Sequence, residues 1–282
     1  MKLIVELQDI KQIKPYQAVA GWLIGVESLS SQGSAFFPIA KIPEIIARAK
    51  EYNQFVAINA GRIFNDSELK KAEKILAKLK KWNIRYYFYT DLGFYELAKA
   101  RKLPLVYQAA TYLTNSPDVN AFLDENESVV VAPEISKDEL VTITKNAKKD
   151  VMVEAFGRLS IFYSKRKLMT NYFQYRAWGN DPKGSDYSIV EEKRSEHYPI
   201  EENESGTLIY SSHFYYLWEE IWELSHVSHL LIRTKWLDPA LFDEVVSVYD
   251  AYLATKAGDI KTLGIDLFQG ALYRQSLLTK VR

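Results

Sequence analysis

The sequence of 282 residues contains no cysteine and only four histidines. Without cysteine, the protein cannot form disulfides, use a thiolate nucleophile, or hold an iron–sulfur cluster or a structural zinc through sulfur. Catalysis through imidazole has few candidates: His197, His213, His226 and His229. His226 and His229 flank a predicted helix-to-strand junction, so we interpret them as local hydrogen-bonding residues. We expect no metal site and no bound cofactor.

Several sequence motifs are also missing. No G-x-G-x-x-G follows the first apolar run, no P-loop is present, and no G-x-S-x-G marks a serine nucleophile. No run of 18 uncharged residues could span a bilayer. The N-terminus, residues 1–7, is too short and too soon acidic for a signal peptide. These absences predict a soluble, cytoplasmic protein that does not enter a membrane.

Charge of one sign is not in excess, because 36 Lys and Arg residues balance 36 Asp and Glu residues. A net charge of zero argues against a general nucleic-acid-binding surface but is compatible with a local basic patch. It also permits close association with a protein partner, because like-charge repulsion between the two molecules is low.

Eight short apolar runs recur along the chain, and most are rich in β-branched or aromatic residues. Such runs are typical of strands that are buried on both faces of a parallel sheet. The runs are 2–7, 18–26, 55–60, 84–90, 105–110, 128–134, 151–157 and 228–234. Helical patterns separate several of them, the clearest over residues 66–79, and Ser136 with Glu139 has the spacing of a capping box. The alternation predicts an α/β fold, a (β/α)8 TIM-type barrel, with an open doubly wound sheet as the main alternative.

The interval between the last two runs is much longer than a strand–helix loop requires. We therefore assign residues 1–157 to the first seven strand units, residues 158–212 to an inserted small subdomain with β-hairpins, and residues 213–282 to the last unit and the C-terminal tail. All three parts belong to one structural domain.

An amphipathic helix is predicted over residues 213–224, where apolar residues recur at helical spacing. They are Phe214, Leu217, Trp218, Ile221 and Trp222. This stripe is interpreted as packing against the barrel. The alternative is that Tyr215 and Tyr216, which flank the stripe, help to form a large apolar interface with a partner, and we expect the protein to be an oligomer.

The site of such a barrel lies at the carboxyl ends of its strands. Polar residues predicted there are Asn59, Asn65, Thr90, Asp91, Gln108, Thr111, Glu134, Glu154, Arg233 and Thr234. Glu134 and Glu154 could perform acid–base catalysis if burial raised the pKa of one of them. The alternative is that both form structural ion pairs with Arg158, Lys165 or Arg166. Asp91 is a third candidate acid, and it could equally cap the helix that begins near Leu92.

A basic segment follows the seventh run. Lys165, Arg166 and Lys167 stand close to Tyr172, Tyr175 and Trp178. Cations mixed with aromatic rings suit phosphate contact with base stacking, or an anionic small molecule, although a solvated loop is the simpler interpretation. The candidate ligand-binding residues are Asn59, Asn65, Thr111, Ser164, Lys165, Arg166, Tyr172 and Arg233.

The same segment resembles the signature of a known family. Residues 157–172 read G-R-L-S-I-F-Y-S-K-R-K-L-M-T-N-Y. They are similar to the pattern G-x-x-C-x-x-x-S-x-R-C-x-L-S-x-Y of the collagenase-like peptidase family, peptidase family U32. Further similar segments occur along most of the chain, at 59–66, 90–93, 111–115, 130–136, 198–207 and 269–273.

The departures from the family pattern concern its chemistry. Ser160 and Lys167 stand where the family has two cysteines that help to hold a [4Fe–4S] cluster in better-studied relatives. Pro133 and Phe156 replace an arginine and a histidine of the family. A lysine offers a cation where iron needs an anionic ligand, so the comparison implies a member without the cluster. Such a member keeps the family's shape but has given up its own chemistry.

Some bacteria have a short and a long relative of this family that act together in prephenate-dependent 5-hydroxylation of the tRNA wobble uridine, and this chain is similar to the short one. The resemblance implies an assisting subunit whose partner is a longer, cysteine-bearing paralogue, with tRNA or an anionic small molecule as a possible ligand. The family name leaves a second hypothesis open, a peptidase or other hydrolase that uses Glu134 or Glu154.

Overall fold

The computed structural model of the protein describes residues 1–109, 112–179, 182, 187–193 and 195–274. The strands in these residues are β1 (Lys2–Glu6), β2 (Val19–Val26), β3 (Phe36–Phe37), β4 (Phe55–Ala60), β5 (Tyr86–Tyr89), β6 (Leu105–Gln108), β7 (Ser128–Val131), β8 (Val151–Gly157), β9 (Ser160–Ser164), β10 (Tyr187–Val190), β11 (His197–Asn203), β12 (Gly206–Tyr210), β13 (Tyr215–Tyr216) and β14 (Val227–Ile232). The helices are α1 (Ile42–Lys50), α2 (Asp66–Leu79), α3 (Leu92–Lys99), α4 (Ser116–Glu125), α5 (Lys137–Asn146), α6 (Leu168–Tyr175) and α7 (Pro239–Thr255).

Eight parallel strands form a closed barrel. The strands are β1, β2, β4, β5, β6, β7, β8 and β14, and the ring closes because β1 pairs with both β2 and β14. Each of the eight apolar runs of the sequence overlaps one of these strands. The predicted (β/α)8 barrel is therefore confirmed, and the open doubly wound sheet is wrong.

Each barrel strand is buried on both faces, since successive side chains of a strand point to opposite sides. On β1, Ile4 packs inside the barrel with residues from the other seven strands, whereas Leu3 and Val5 pack in the larger core between strands and helices. This double burial is the reason that the strands read as continuous apolar runs.

The helices begin at side chains that cap their free N–H groups. Asn65 and Glu68 form a capping box at the start of α2, and Ser136 and Glu139 form another at α5. Asp91 caps α3 by accepting a hydrogen bond from the backbone N–H of Phe94. These caps fix each helix start next to the carboxyl end of the preceding strand, where the polar residues of a barrel site collect.

A second, antiparallel sheet lies between β8 and β13 in the sequence, and we call residues 160–210 the cap subdomain. Its strands are ordered β10–β11–β12–β9, and α6 lies between β9 and β10 along the chain. The turn from β11 to β12 requires Gly206, whose φ is +138° and where a Cβ atom would lie 2.0 Å from the carbonyl oxygen of Ser164. The turn therefore brings β12 close against the end of β9.

The predicted helix over residues 213–224 is wrong. Tyr215 and Tyr216 instead form β13, which pairs antiparallel with Phe156 and Gly157 of β8, and only a short 3-10 turn follows at Glu219–Glu223. The two tyrosines are 3% and 7% exposed, so they belong to the core and cannot form the predicted partner surface. Hydrogen bonds to β8 and aromatic packing outweigh the helical spacing of the apolar residues.

Tyr249 of α7 anchors this region to the barrel. Its buried hydroxyl lies 2.7 Å from the carbonyl oxygen of Ala155 and 3.0 Å from that of Leu217. We expect Tyr249→Phe to lower the free energy of unfolding by about 2 kcal/mol, because the buried carbonyl oxygen of Leu217 loses its donor and that of Ala155 keeps only the N–H of Leu217. Urea denaturation measures the loss.

Tyr252→Phe provides the matched control. Tyr252 lies one turn further along α7 and stacks on Trp218, but its hydroxyl has no hydrogen bond among the described residues. Its substitution is expected to change the free energy of unfolding by less than about 0.5 kcal/mol. Equal losses for the two variants would contradict the anchoring role of the Tyr249 hydroxyl.

Candidate functional site

A small polar cavity lies at the carboxyl ends of the barrel strands, which we call the barrel mouth. Its volume is about 60 Å³, well below the roughly 300–1,000 Å³ of pockets that bury a drug-sized ligand. The polar and charged residues that line it are Glu6, Gln32, Asn59, Thr90, Gln108, Glu134, Glu154, Arg158, Ser160, Tyr210, Arg233 and Lys235. The mouth is thus polar but filled mostly by its own side chains.

Arg233 forms the centre of this network. Its guanidinium donates to the side-chain oxygen of Gln108 at 2.9 Å and approaches Oε1 of Glu154 at 3.4 Å. Gln108 in turn donates to the same Glu154 oxygen at 2.8 Å. The side chain of Arg233 is 11% exposed and that of Glu154 is 12% exposed. Glu154 therefore forms an ion pair and a hydrogen bond, so the structural interpretation of this residue fits its contacts. Its cationic partner is Arg233 and not the predicted Arg158, Lys165 or Arg166.

Glu6, at the end of β1, is held on several sides. Its carboxylate accepts hydrogen bonds from the backbone N–H groups of Thr234 and Lys235 and from the hydroxyl of Ser34, and it lies 3.6 Å from the guanidinium of Arg233. The buried carboxylate is thus engaged by several donors of its own chain. It connects the first barrel strand to the segment that follows the last one.

Glu134 differs from the other carboxylates of the mouth. It lies at the rim, more than a third exposed, and its carboxylate has no hydrogen bond or ion pair among the residues that the structure describes. Partial burial raises the pKa of this carboxyl group above its usual value. Glu134 is therefore the one predicted acid whose geometry leaves it available to a ligand.

The cap subdomain closes the mouth from above through charged and polar contacts. Lys235 pairs with Glu201 at 2.7 Å, and Tyr210 donates to the other oxygen of that carboxylate at 2.9 Å. Arg158 donates to the carbonyl oxygens of Ser211 and Ser212, and burial lowers its pKa. All three basic side chains of the mouth, Arg158, Arg233 and Lys235, thus have partners within the chain.

A second charged cluster joins the cap subdomain to α2, and we call it the Glu68 hub. Arg62 pairs with Glu68 at 2.6 Å and with Glu204 at 2.7 Å, while Lys165 contacts the second oxygen of Glu68 at 2.8 Å. Burial alone would raise the pKa of Glu68, but hydrogen bonds from Lys165, the Asn65 N–H and Arg62 outweigh it and lower the pKa to about 2. The hub holds the basic segment against the barrel.

Several residues that were predicted to bind a ligand make local structural contacts. Asn59 donates to the carbonyl oxygen of Gln32 and accepts from the N–H of Gly61, and Asn65 is the cap of α2. Asp91 accepts from two backbone N–H groups, of Phe94 and Phe64. Thr111 lies outside the described residues.

The basic segment is only partly available to a ligand. Lys165 is bound in the Glu68 hub, and Lys167 donates to the carbonyl oxygen of Asn203. The hydroxyl of Ser164 accepts from the backbone N–H of Arg166 at 3.2 Å. Arg166 and Tyr172 are exposed, and their side chains have no hydrogen bond or ion pair within the described ranges.

Sequence reasoning missed Glu6, Gln32, Tyr210 and Lys235 of the mouth, and Glu201, which contacts it. Glu6 and Lys235 lie at the carboxyl ends of β1 and β14, and that position is itself a signal, because a charge there points to the site of a barrel. Glu201 and Tyr210 carry no such signal, since they reach the mouth only through the fold of the cap subdomain.

The residues present do not fit a [4Fe–4S] cluster. Ser160, at the position of one family cysteine, lies 3.3 Å from the side-chain nitrogen of Gln32, and Lys167, at the other, is bound to Asn203. The chain has no thiolate to offer, and a lysine ammonium repels the iron that a thiolate would bind. Among the described residues, no three His, Asp or Glu side chains are grouped so as to hold a metal ion.

Comparison with known proteins places this geometry in context. The family model of peptidase family U32 matches residues 18–266. The chain belongs to peptidase family U32. Because the match covers most of the chain, it includes the barrel strands from β2 onward and the whole cap subdomain.

Two similar proteins extend this result. This U32 chain is 29% identical over 186 residues to tRNA hydroxylation protein P2 of Bacillus subtilis (strain 168), a match that covers 64% of the chain and 60% of that protein. The match thus spans less than two thirds of the relative's length. The solved structure of the U32 peptidase Mk0906 superposes with a TM-score of 0.52 at 12% identity, covering 82% of this chain and 92% of that one, and this likeness shows a shared fold.

No helix in the described part of the chain is long and apolar enough to cross a membrane.

Removing the central cation of the mouth should destabilise the protein. Arg233→Met leaves the carboxylates of Glu6 and Glu154 buried without their cation, and we expect the free energy of unfolding to fall by about 3 kcal/mol. Adding Glu154→Gln should recover part of the loss, because one of the two unpaired charges disappears. Urea denaturation of both variants, with Lys261→Met as the exposed control, tests this. If Arg233→Met alone is as stable as the wild type, the role of Arg233 is contradicted.

The Glu68 hub should make the free energy of unfolding depend on pH in the acidic range. Because the pKa of Glu68 is about 2 in the folded protein and about 4.5 in the unfolded chain, its contribution is complete above pH 4.5 and is lost as pH falls towards 2. Glu68→Gln keeps an acceptor for the capping box but should remove this part of the acid sensitivity.

Measurements of unfolding between pH 5 and pH 2.5 compare the wild type, Glu68→Gln and the control Glu96→Gln, which changes an exposed carboxylate. The stability difference between wild type and Glu68→Gln should shrink as pH falls. A difference that stays constant over this range would show that the charge of Glu68 is not what the hub uses.

Proposed function

We propose that this chain is an assisting subunit in the 5-hydroxylation of the tRNA wobble uridine, and that it acts with a longer, cysteine-bearing paralogue. One observation carries the proposal. Both family cysteines that help to hold the cluster are replaced, by Ser160 and Lys167, in a chain that keeps the family fold. The redox chemistry then belongs to the partner, and this chain contributes binding surface.

The geometry of the barrel mouth supports an assisting role. Glu6, Glu154 and Glu201 are each held by cations or backbone N–H groups of the same chain. A general base must reach a substrate proton, and carboxylates held in this way are committed to the fold. The cavity of about 60 Å³ is small for a substrate-binding pocket.

The similarity to tRNA hydroxylation protein P2 supports the choice of reaction. That relative's name associates it with hydroxylation of tRNA, and the present chain is 29% identical to it over 186 residues. The wobble position and the paralogous partner come from the resemblance of the signature segment to paired family members.

The hydrolase hypothesis receives less support. Glu134 is available at the rim, but Glu154 is engaged by Arg233 and Gln108, so the two carboxylates do not form a free acid–base pair. Of the two serines of the signature segment, Ser160 has Gln32 as its polar neighbour and Ser164 has the backbone of Arg166, so neither has a base beside it. A peptidase would need one of these groups to be activated.

A deletion strain of the native host tests the proposal. Nucleoside analysis of its tRNA should show loss of the 5-hydroxylated wobble uridine and its derivatives, with recovery when the wild-type gene is supplied. The purified chain alone should neither hydroxylate tRNA nor cleave peptides, whereas it should raise the activity of the purified paralogue. Unchanged nucleosides in the deletion strain would overturn the proposal. Peptide cleavage by the chain alone that is lost in Glu134→Gln would establish the hydrolase hypothesis instead.

A further inference from the structure

The exposed side of α2 carries a concentrated positive charge. From Leu69 to Arg85 the sequence has seven basic residues and one acidic residue, although the whole chain has no net charge. We call four lysines of α2 the lysine face: Lys70, Lys71, Lys74 and Lys78. All four are exposed.

The helix places these lysines side by side. At 3.6 residues per turn they fall within an arc of about 100°, and from Lys70 to Lys78 they extend over about 12 Å. Ala72, Leu76 and Leu79 occupy the opposite side, where they are buried against the barrel. The lysine face therefore points directly away from the core.

The charge of the lysine face is compensated only in small part. None of its four ammonium groups has a hydrogen bond or ion pair with another described residue. Of the carboxylates of α2, Glu73 pairs with Arg101 at 2.8 Å and Glu68 lies in the Glu68 hub, which leaves the exposed Asp66 of the first turn against four lysines. Four neighbouring like charges repel one another, so a bound polyanion would relieve a repulsion that the fold leaves in place.

The surface also lacks the features of a protein interface. Protein interfaces are centred on exposed aromatic and apolar side chains and are depleted in lysine. No large exposed apolar side chain lies between residues 66 and 85. Lysines without an apolar centre fit contacts to phosphate groups, which depend on charge and tolerate any base sequence.

The lysine face is continuous with the barrel mouth. α2 begins at its cap Asn65, and the first turn carries Glu68, which binds Lys165 and Arg62. The exposed Arg166 follows Lys165 directly. A nucleic acid that runs along α2 would thus reach the cap subdomain and the mouth at its upper end.

We propose that the lysine face of α2 is a docking surface for the phosphate backbone of RNA. The choice of tRNA as that RNA rests on the proposed function. The surface supplies affinity and orientation without reading sequence, and it holds the RNA beside the chain while the modified base is presented elsewhere in the complex.

The experiment measures binding of unfractionated, fluorescently labelled tRNA to the full chain by anisotropy at several salt concentrations. The test variant combines Lys70→Gln, Lys71→Gln, Lys74→Gln and Lys78→Gln. Glutamine keeps a helix propensity close to that of lysine, so α2 should persist, and circular dichroism checks this. The control variant removes the same charge from exposed lysines elsewhere, through Lys11→Gln, Lys50→Gln, Lys145→Gln and Lys261→Gln.

The test variant should bind at least about tenfold more weakly near physiological salt, and its slope of log affinity against log salt should be shallower by about three, since each phosphate contact contributes about 0.7–0.9. The control variant should bind like the wild type. Equal slopes for the two variants would overturn the proposal. Poly-glutamate that competes as well as unlabelled tRNA, at equal charge concentration, would overturn it in favour of an acidic protein partner.

The deletion strain separates this inference from the proposed function. If the test variant restores wobble-uridine hydroxylation fully at native expression, the lysine face is not used and the assisting role stands. The opposite result is that deletion leaves the tRNA nucleosides unchanged, whereas tRNA binding in vitro is weakened in the test variant and not in the control variant. In that case the docking surface stands and the proposed function fails.

Discussion

One buried guanidinium sets the arrangement of the barrel mouth. Arg233 follows the last barrel strand and reaches Glu154 of β8, Gln108 of β6 and Glu6 at the end of β1. The barrel must close between its first and last strands, and Glu6 strengthens that junction by accepting from the backbone of Thr234 and Lys235 as well. Two buried carboxylates would be costly without this cation, and the cation would be costly without them.

The cap subdomain depends on this arrangement and on the Glu68 hub. Lys235 comes directly after the segment that Glu6 holds, and it carries the contact to Glu201 in the cap subdomain. On the other side, Arg62 and Lys165 share Glu68, so the basic segment is drawn onto the barrel. Charged residues at the strand ends and on α2 thus fasten the cap subdomain to the barrel, over a cavity of about 60 Å³.

Much of the barrel could be predicted because strand burial leaves a direct trace in the sequence. A strand packed on both faces needs apolar residues throughout, α2 shows its helical period, and α5 shows its capping box, Ser136 with Glu139. The predicted helix over 213–224 failed because bulky aromatic residues fit the core in more than one backbone conformation. Its apolar spacing matched a helix, but hydrogen bonds to β8 made Tyr215 and Tyr216 a strand.

The site was harder to predict because its contacts join residues that are distant in the sequence. Glu134 and Glu154 were identified from their positions at strand ends, yet no local pattern shows that Arg233 engages Glu154 and leaves Glu134 unpaired. Lys165 looked free beside its basic neighbours, whereas its partner Glu68 is 97 residues away. Sequence position predicts which residues reach the mouth, and the tertiary fold decides which of them remain available to a ligand.

The distribution of charge explains how a neutral protein can still bind a polyanion. Within the mouth and the Glu68 hub, acidic and basic side chains neutralise one another in contact, and these pairs contribute to structure at close range. On α2, Glu73 pairs with Arg101 and Glu68 lies in the Glu68 hub, so only Asp66 remains to offset the four exposed lysines. Because screening removes the field of exposed charges beyond about 8–10 Å at moderate ionic strength, the acidic residues elsewhere on the surface do not cancel this local field. The net charge of the chain therefore does not predict what α2 can bind. The pairing of individual carboxylates does so better, because it determines which lysines keep an uncompensated charge.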